Sequence, residues 1–432
     1  MLRLLTRENW QLFAAAGAAF STYFCMYAFR KPFTAATYGE YEIYGASLKA
    51  VLIIAQIMGY LLSKFIGIRV ISEMPRQYRA IAILVLIGVA ELALVGFAFL
   101  PMALKPAMLF LNGLPLGMVF GLVLAFLEGR RQTEALSAAL CASFIVSSGV
   151  VKSVGQWLVE SQGVSEFSMP MITGAFFLLP MLFSVWLLNS TPPPSDIDRK
   201  MRSERGVMRR VDRREFFFAY WPGLVLLTLV YILLTMIRTI RDDYAVEIWR
   251  DLGVSSAPEV FTYTETTVAV VVITLIAMTT LITSNLQAIR ATLIGMSLAF
   301  VLVIASAIMQ AYGMLPPFAF MVACGIGLYV PYVAFHTTVF ERLIAVSRRP
   351  CNLGFLMYLA DSFGYLGYVA LLFAKAAFEP PDQILPSFRG GLISCAGLAV
   401  IALMGAAVYF QRSATAAESD AAHSGPLPAT EN

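Results

Sequence analysis

The chain has 432 residues, 59% of them hydrophobic and 13% charged, with a mean hydropathy of +0.75. This composition excludes a soluble globular domain, and the long apolar runs call for a polytopic helical membrane protein. A formal net charge of +4 is too small for a nucleic-acid partner and concerns orientation in a lipid bilayer instead.

About twelve spans are predicted. The first runs from near Trp10 past Arg30, with Pro32 kinking or ending it. Arg3 and Arg7 before an apolar run imitate a secretory leader, but the run continues to Phe29 and reads as a retained membrane helix. Five more spans follow at about 47–68, 80–100, 106–128, 135–160 and 168–189. Thr191-Pro192-Pro193-Pro194 then breaks the pattern, and a charged linker leads to Glu215. The second series lies at about 217–250, 260–284, 290–312, 317–340, 353–376 and 390–411. The expected organisation is therefore a six-helix bundle over 1–190, a cytoplasmic linker over 191–215, a second bundle over 216–412 and a disordered cytoplasmic tail over 413–432. The five cysteines sit in apolar runs without metal-ligand spacing and read as small buried residues.

Arg and Lys gather on one side of this layout: at the termini, in the linker, and at Arg69, Arg76, Arg79, Arg130, Arg131, Arg290, Arg342, Arg348 and Arg349. The other side holds Lys49, Lys105, Arg250 and Arg389. By the positive-inside rule both termini and the linker are expected in the cytoplasm.

Seven cations remain inside or at the edge of apolar runs: Arg30, Lys31, Lys64, Lys152, Arg238, Arg241 and Lys375. Each costs roughly 2.5–3.5 kcal/mol at mid-helix on insertion scales. Lys375, near the end of its span, reads as a snorkelling residue. Tyr23, Tyr27 and Arg30 fall at i, i+4 and i+7, so a helix puts them on one face. Arg30 and Lys31 either face a wet cavity whose guest is an anion or snorkel to the interface. Tyr60 and Lys64 repeat the tyrosine-then-cation spacing, with the same two readings. In Arg238-Thr239-Ile240-Arg241-Asp242-Asp243, Asp242 stands four residues after Arg238. It either forms a locked pair with that arginine or is displaced from it by a substrate anion. Lys152 is either a third substrate cation or a partner of Glu91 or Asp361, and His336 either titrates or is a hydrogen-bonded structural residue. Arg30 precedes Gly45, and Arg238 precedes Gly253, by the same fifteen residues, which suggests two related halves with the arginines on opposite walls of one cavity.

The chain contains no metal-ligand set, nucleophile triad, Walker motif or dinucleotide fingerprint, so neither an enzyme nor a cofactor is expected.

These residues carry a resemblance. Tyr23, Tyr27, Arg30, Lys31 and Phe33, then Tyr60, Lys64 and Phe65, resemble the major facilitator superfamily, within it the organophosphate:phosphate antiporter branch that includes the glycerol-3-phosphate transporters. Arg238 and Asp243, Gly327 to Pro331, His336, Glu341, Arg348-Arg349 and Gly364-Tyr365-Leu366-Gly367 are similar to later patches of that branch. The resemblance implies that Arg30 and Arg238 bind phosphate and that Tyr23, Tyr27, Tyr60, Lys64 and Lys31 line the pocket. It leaves Lys152, Arg241, Asp242, Asp243, His336 and Asp361 for coupling or gating. The chain departs from the branch where Ser143 stands in place of a fifth-span histidine, at Lys152, and in the loop from Gly67 to Arg79.

The expectation is a monomeric secondary transporter in a bacterial-type inner membrane, exchanging a small organophosphate for inorganic phosphate by alternating access. Two alternatives stand beside it: a transporter-derived sensor of a phosphorylated solute, and a proton-coupled symporter of another organic anion.

Overall fold

The structure is a computed structural model that describes residues 7–39, 41–43, 45–127, 133–192, 210–254, 257–279, 282, 284–347, 353–378 and 384–423. The 193–209 part of the linker and the Lys375 side chain lie outside the described residues.

The first half carries α1 (Arg7–Tyr27), α2 (Leu48–Glu73), α3 (Arg76–Phe99), α4 (Lys105–Leu127), α5 (Thr133–Glu160) and α6 (Met169–Asn189). The second carries α7 (Arg210–Asp243), the short α8 (Ala245–Asp251), α9 (Glu259–Thr279), α10 (Asn285–Ala311) and α11 (Pro317–Ala334). It continues with α12 (Phe340–Ser347), α13 (Leu353–Phe378) and α14 (Ile384–His423). A π-helical segment, Phe335–Val339, joins α11 to α12, and a small hairpin pairs Glu42–Ile43 with Ala46–Ser47. Ten of the described helices are long and apolar enough to cross a membrane; α1 and the shorter apolar stretch Leu359–Ala374 of α13 fill the other two expected places. The protein is an all-α integral membrane protein.

Within each half the order of packing repeats. Helices α2 and α4 pack closely, as do α1 with α5 and α6. Across the middle, α5 meets α9 and α2 meets α13. Counting spans, these are the fifth with the eighth and the second with the eleventh, and a six-span shift exchanges the two contacts. The large exposed apolar side chains mark the other faces. On α3, Ile81, Val85, Val89 and Leu92 are exposed, and on α10, Ile294, Leu298 and Val301. Their three- and four-residue spacing makes single stripes suited to acyl chains.

Glycines set the tightest approach. A side chain on Gly113 of α4 would run into the main-chain carbonyl of Gln56, and one on Gly59 of α2 into that of Phe110. The backbones of α2 and α4 therefore touch, as small residues permit between membrane helices.

Three expectations are corrected. Helix α1 ends at Tyr27, so Arg30 lies beyond the helix and does not extend the face of Tyr23 and Tyr27. The amides of Ala28, Phe29 and Arg30 bond only three residues back, at 3.0, 3.1 and 3.0 Å, and Pro32, which has no N–H, opens a 3₁₀ turn over Pro32–Ala35. Helix α7 begins at Arg210, inside the expected linker, and bends at Tyr220 (φ −121°, ψ 15°) just before Pro222. Helix α14 runs to His423, into the expected disordered tail, whose residues 424–432 lie outside the described residues; alanines at 414, 416, 417, 421 and 422 favour the helix there.

Candidate functional site

The chain break after α1 places Arg30 between the halves. Its carbonyl and that of Phe29 have lost their helical partners, and two amides from neighbouring helices take them up. Asn112 of α4 donates from Nδ2 to Phe29 O at 2.9 Å and to Ala90 O of α3 at 3.0 Å. Gln56 of α2 donates from Nε2 to Arg30 O at 2.7 Å and to Asn112 Oδ1 at 2.8 Å. The Arg30 guanidinium lies 4.0 Å from the centre of the Tyr60 ring and 5.8 Å from that of Tyr27.

Arg238, five residues before the end of α7, mirrors this arrangement. Its guanidinium lies 4.2 Å from the Tyr332 ring and 5.9 Å from the Tyr329 ring, and Nη2 donates to Thr239 Oγ1 at 3.4 Å. Each arginine thus rests on a tyrosine face, a contact worth about 0.5–2 kcal/mol. Both are buried, neither makes an ion pair among the described residues, and Nε of each is buried without a hydrogen-bond partner. They open on one cavity, with Tyr27 and Gln56 on the first half and Thr239 and Tyr365 on the second; Lys31, Asp242 and Asp243 also line it.

The remaining buried cations between the halves are occupied. Lys31 bonds Asp242 at 2.6 Å and also Asp243. Lys49 bonds Glu247 at 2.6 Å and Thr34 O at 3.0 Å. Lys64 pairs with Asp361, which also accepts from Tyr231. Lys152 and Ser148 both donate to Asp242, and Arg241 bonds Glu265 at 2.8 Å and Met321 O at 2.9 Å. Among the described residues, seven buried cations between the halves thus face five carboxylates, and the two left over are Arg30 and Arg238. Lys105 is buried elsewhere, against the carbonyls of Phe97 and Ala98.

This arrangement revises several expected roles. Asp242 takes Lys31 and Lys152, not Arg238, whose guanidinium lies against Tyr332 of α11. Lys152 is paired with neither Glu91 nor Asp361. Lys31, Lys64 and Lys152 are buried by these carboxylates, so none snorkels. Tyr23 packs on Tyr27 and Phe120, with ring centres at 5.7 and 5.3 Å, and is not among the cavity-lining residues. Tyr60 supports Arg30 from beneath, and Ser143 donates to its own helix at Leu140 O. His336 lies in the π-helical segment, 4.5 Å from the Tyr332 ring, with Nδ1 2.8 Å from Tyr332 O. Gln56, Thr239, Tyr329, Tyr332 and Tyr365 escape a reading based on charge, because uncharged residues in apolar runs carry no signal against their background. Tyr365, four residues after Asp361, had a helical-face cue.

Two six-span halves with buried charge gathered between them are the architecture of the major facilitator fold, and solved structures agree. A D-xylose–proton symporter is similar over 92% of this chain and 96% of its own, at 14% identity and a TM-score of 0.60. The nucleoside transporter NupG, in a point-mutant form, is similar over 93% and 100%, at 12% identity and a TM-score of 0.57. Likeness at this identity establishes the fold alone. By sequence the chain belongs to a family of unknown function, DUF5690, which matches residues 32–413. No curated protein matches it in sequence.

Proposed function

We propose that the protein is a secondary transporter of a small organic dianion, a phosphate monoester exchanged for inorganic phosphate, working by alternating access of its two halves. One observation carries this reading: Arg30 and Arg238 are the two buried cations between the halves left without a carboxylate. An excess of two buried positive charges calls for two negative charges, because an unpaired buried ion is costly. Guanidinium groups offer planar forks that match phosphate oxygens and stay charged at all relevant pH values. The similar transporters support transport as the use of this fold, and their names concern sugars and nucleosides, not phosphate.

In this reading the substrate anion bridges Arg30 and Arg238 and draws the halves together, while the lysine–carboxylate pairs separate and re-form as they rock. Lys64 belongs to that second set rather than to the anion. The bilayer is an inner membrane, and the termini lie in the cytoplasm. The test is exchange of labelled phosphate by purified protein in proteoliposomes, beside thermal stabilisation by phosphate, phosphate monoesters, sulfate and dicarboxylates. Stabilisation by phosphate esters with exchange supports the proposal. Binding without exchange identifies a sensor, and stabilisation by none of the phosphate compounds overturns the anion assignment.

A further inference from the structure

The two amides that hold the Arg30 turn have a consequence for what the cavity selects. Asn112 Nδ2 has two carbonyl acceptors, Phe29 O and Ala90 O, which fixes which end of that amide is nitrogen. Its Oδ1 is therefore an acceptor, and it faces Gln56 Nε2, whose other neighbour is also an acceptor, Arg30 O. The orientation of Gln56 follows: both its N–H groups are consumed, and only Oε1 is left. Gln56 is 3% exposed and lines the cavity, and its Oε1 has no hydrogen-bond partner among the described residues.

A lone carbonyl acceptor beside two arginines cannot bond a bare phosphate oxygen, since both are acceptors. It can accept from an O–H. Resting on the phosphate reading above, we infer that Gln56 is a specificity-determining residue: its Oε1 accepts a hydrogen bond from an O–H of the anion held by Arg30 and Arg238, while its Nε2 holds Arg30 in place. The cavity should then discriminate between anions of equal charge by whether they carry a hydroxyl, on phosphorus as in hydrogenphosphate or on the organic group of a monoester. Asn112 acts through Gln56 and Phe29 as a positioning residue without reaching the ligand.

Two dianions of nearly equal size isolate the effect: hydrogenphosphate, which carries P–OH, and monofluorophosphate, which carries P–F. Binding of each is measured by calorimetry at pH 8 for the parent and for Gln56→Met and Gln56→Glu. One hydrogen bond between groups in a partly dry site corresponds to about a five- to tenfold preference for hydrogenphosphate in the parent. Gln56→Met should bring the ratio to near one. Gln56→Glu keeps an acceptor but loses the Nε2 donor to Arg30 O and cancels one positive charge, so both affinities should fall while the preference for hydrogenphosphate remains. If Gln56→Met does not fold, the parent ratio and the Glu variant still decide. A parent that binds both anions equally overturns the inference and leaves the phosphate site standing. A preference that survives in Gln56→Met assigns the acceptor to Asp242 or Asp243 and also overturns it. Binding of neither anion by the parent overturns the phosphate reading and the inference together.

Discussion

Arg30 and Arg238 differ from the other buried cations described between the halves in having no carboxylate partner. If they grip a phosphate dianion, Arg30→Lys and Arg238→Lys should each fold and yet lose about 2 kcal/mol or more of binding, roughly thirtyfold, because lysine keeps the charge but not the fork. Calorimetry with a phosphate monoester measures this, and two lysine variants that bind like the parent would place the anion elsewhere. The pH dependence has a definite sign. The arginines do not titrate, and a phosphate monoester loses its second proton near pH 6. Its affinity should therefore fall as pH drops through about 6, where the dianion becomes a monoanion; a flat profile from pH 5 to 8 contradicts pairing with two arginines. Asp242 sets a separate contrast. It holds Lys31, Lys152 and Ser148 together, so Asp242→Asn strands the buried Lys152 and leaves Lys31 to Asp243 alone, whereas Lys152→Met leaves Asp242 its bond to Lys31. Removing one partner of a buried pair costs about 3–5 kcal/mol. Thermal denaturation should rank Asp242→Asn as the less stable variant.

At the scale of elements, the site depends on how closely α2 and α4 approach. Gln56 reaches Asn112 because Gly113 presents no side chain to the backbone of α2. Gly113→Ala should push the helices apart at an overpacking cost of about 1–3 kcal/mol. It should also weaken the hold on Arg30 O, lowering anion affinity although residue 113 is not among those lining the cavity. A melting curve beside a binding isotherm checks both effects. The second half reaches its arginine differently. Arg238 is still helical, and the chain breaks only at Tyr244, where α7 gives way to α8. Gly45 and Gly253 both take positive φ, 76° and 81°, yet one turns the hairpin after Ile43 and the other ends the short helix after Leu252. The equal spacing from each arginine therefore records a related chain reversal built from different local structures.

Across the whole molecule, one pattern stands out: the first half contributes lysines and the second contributes carboxylates. Lys31, Lys49, Lys64 and Lys152 meet Asp242, Asp243, Glu247 and Asp361. Lys49 and Lys64 are fifteen residues apart on α2, about 22 Å along a helix, and Gln56 lies between them. The cavity thus sits between a Lys49–Glu247 layer and a Lys64–Asp361 layer. Alternating access requires each layer to part in turn. A short bifunctional reagent joining Cys residues in the double variant Lys49→Cys, Glu247→Cys should abolish exchange in proteoliposomes while leaving the protein folded, and cleaving the link should restore it. Undiminished exchange with the link intact would mean that this layer does not open. Labelling of introduced cysteines tests orientation: the exposed position 41 should react from outside the cell and position 214 from the cytoplasm.

Composition and hydropathy by themselves determined the membrane class, because twenty-residue apolar runs have no other stable setting than lipid. They also exposed the buried cations, since a charge within an apolar run is conspicuous and is retained only for a reason. What each cation faces was not legible. Asp242 stands four residues from Arg238 in sequence, and that local spacing suggested a pair, but Lys31 and Lys152 reach Asp242 from 211 and 90 residues away. Pairing across the halves depends on how two bundles meet, and no local period encodes that. The same holds for Gln56, an ordinary polar residue in an apolar run until the break after Tyr27 leaves two carbonyls to be satisfied beside it. The sequence thus determined which residues carry charge, and the tertiary structure decided which of them remain unpaired, because electrostatic partners are set by distance in space and not along the chain.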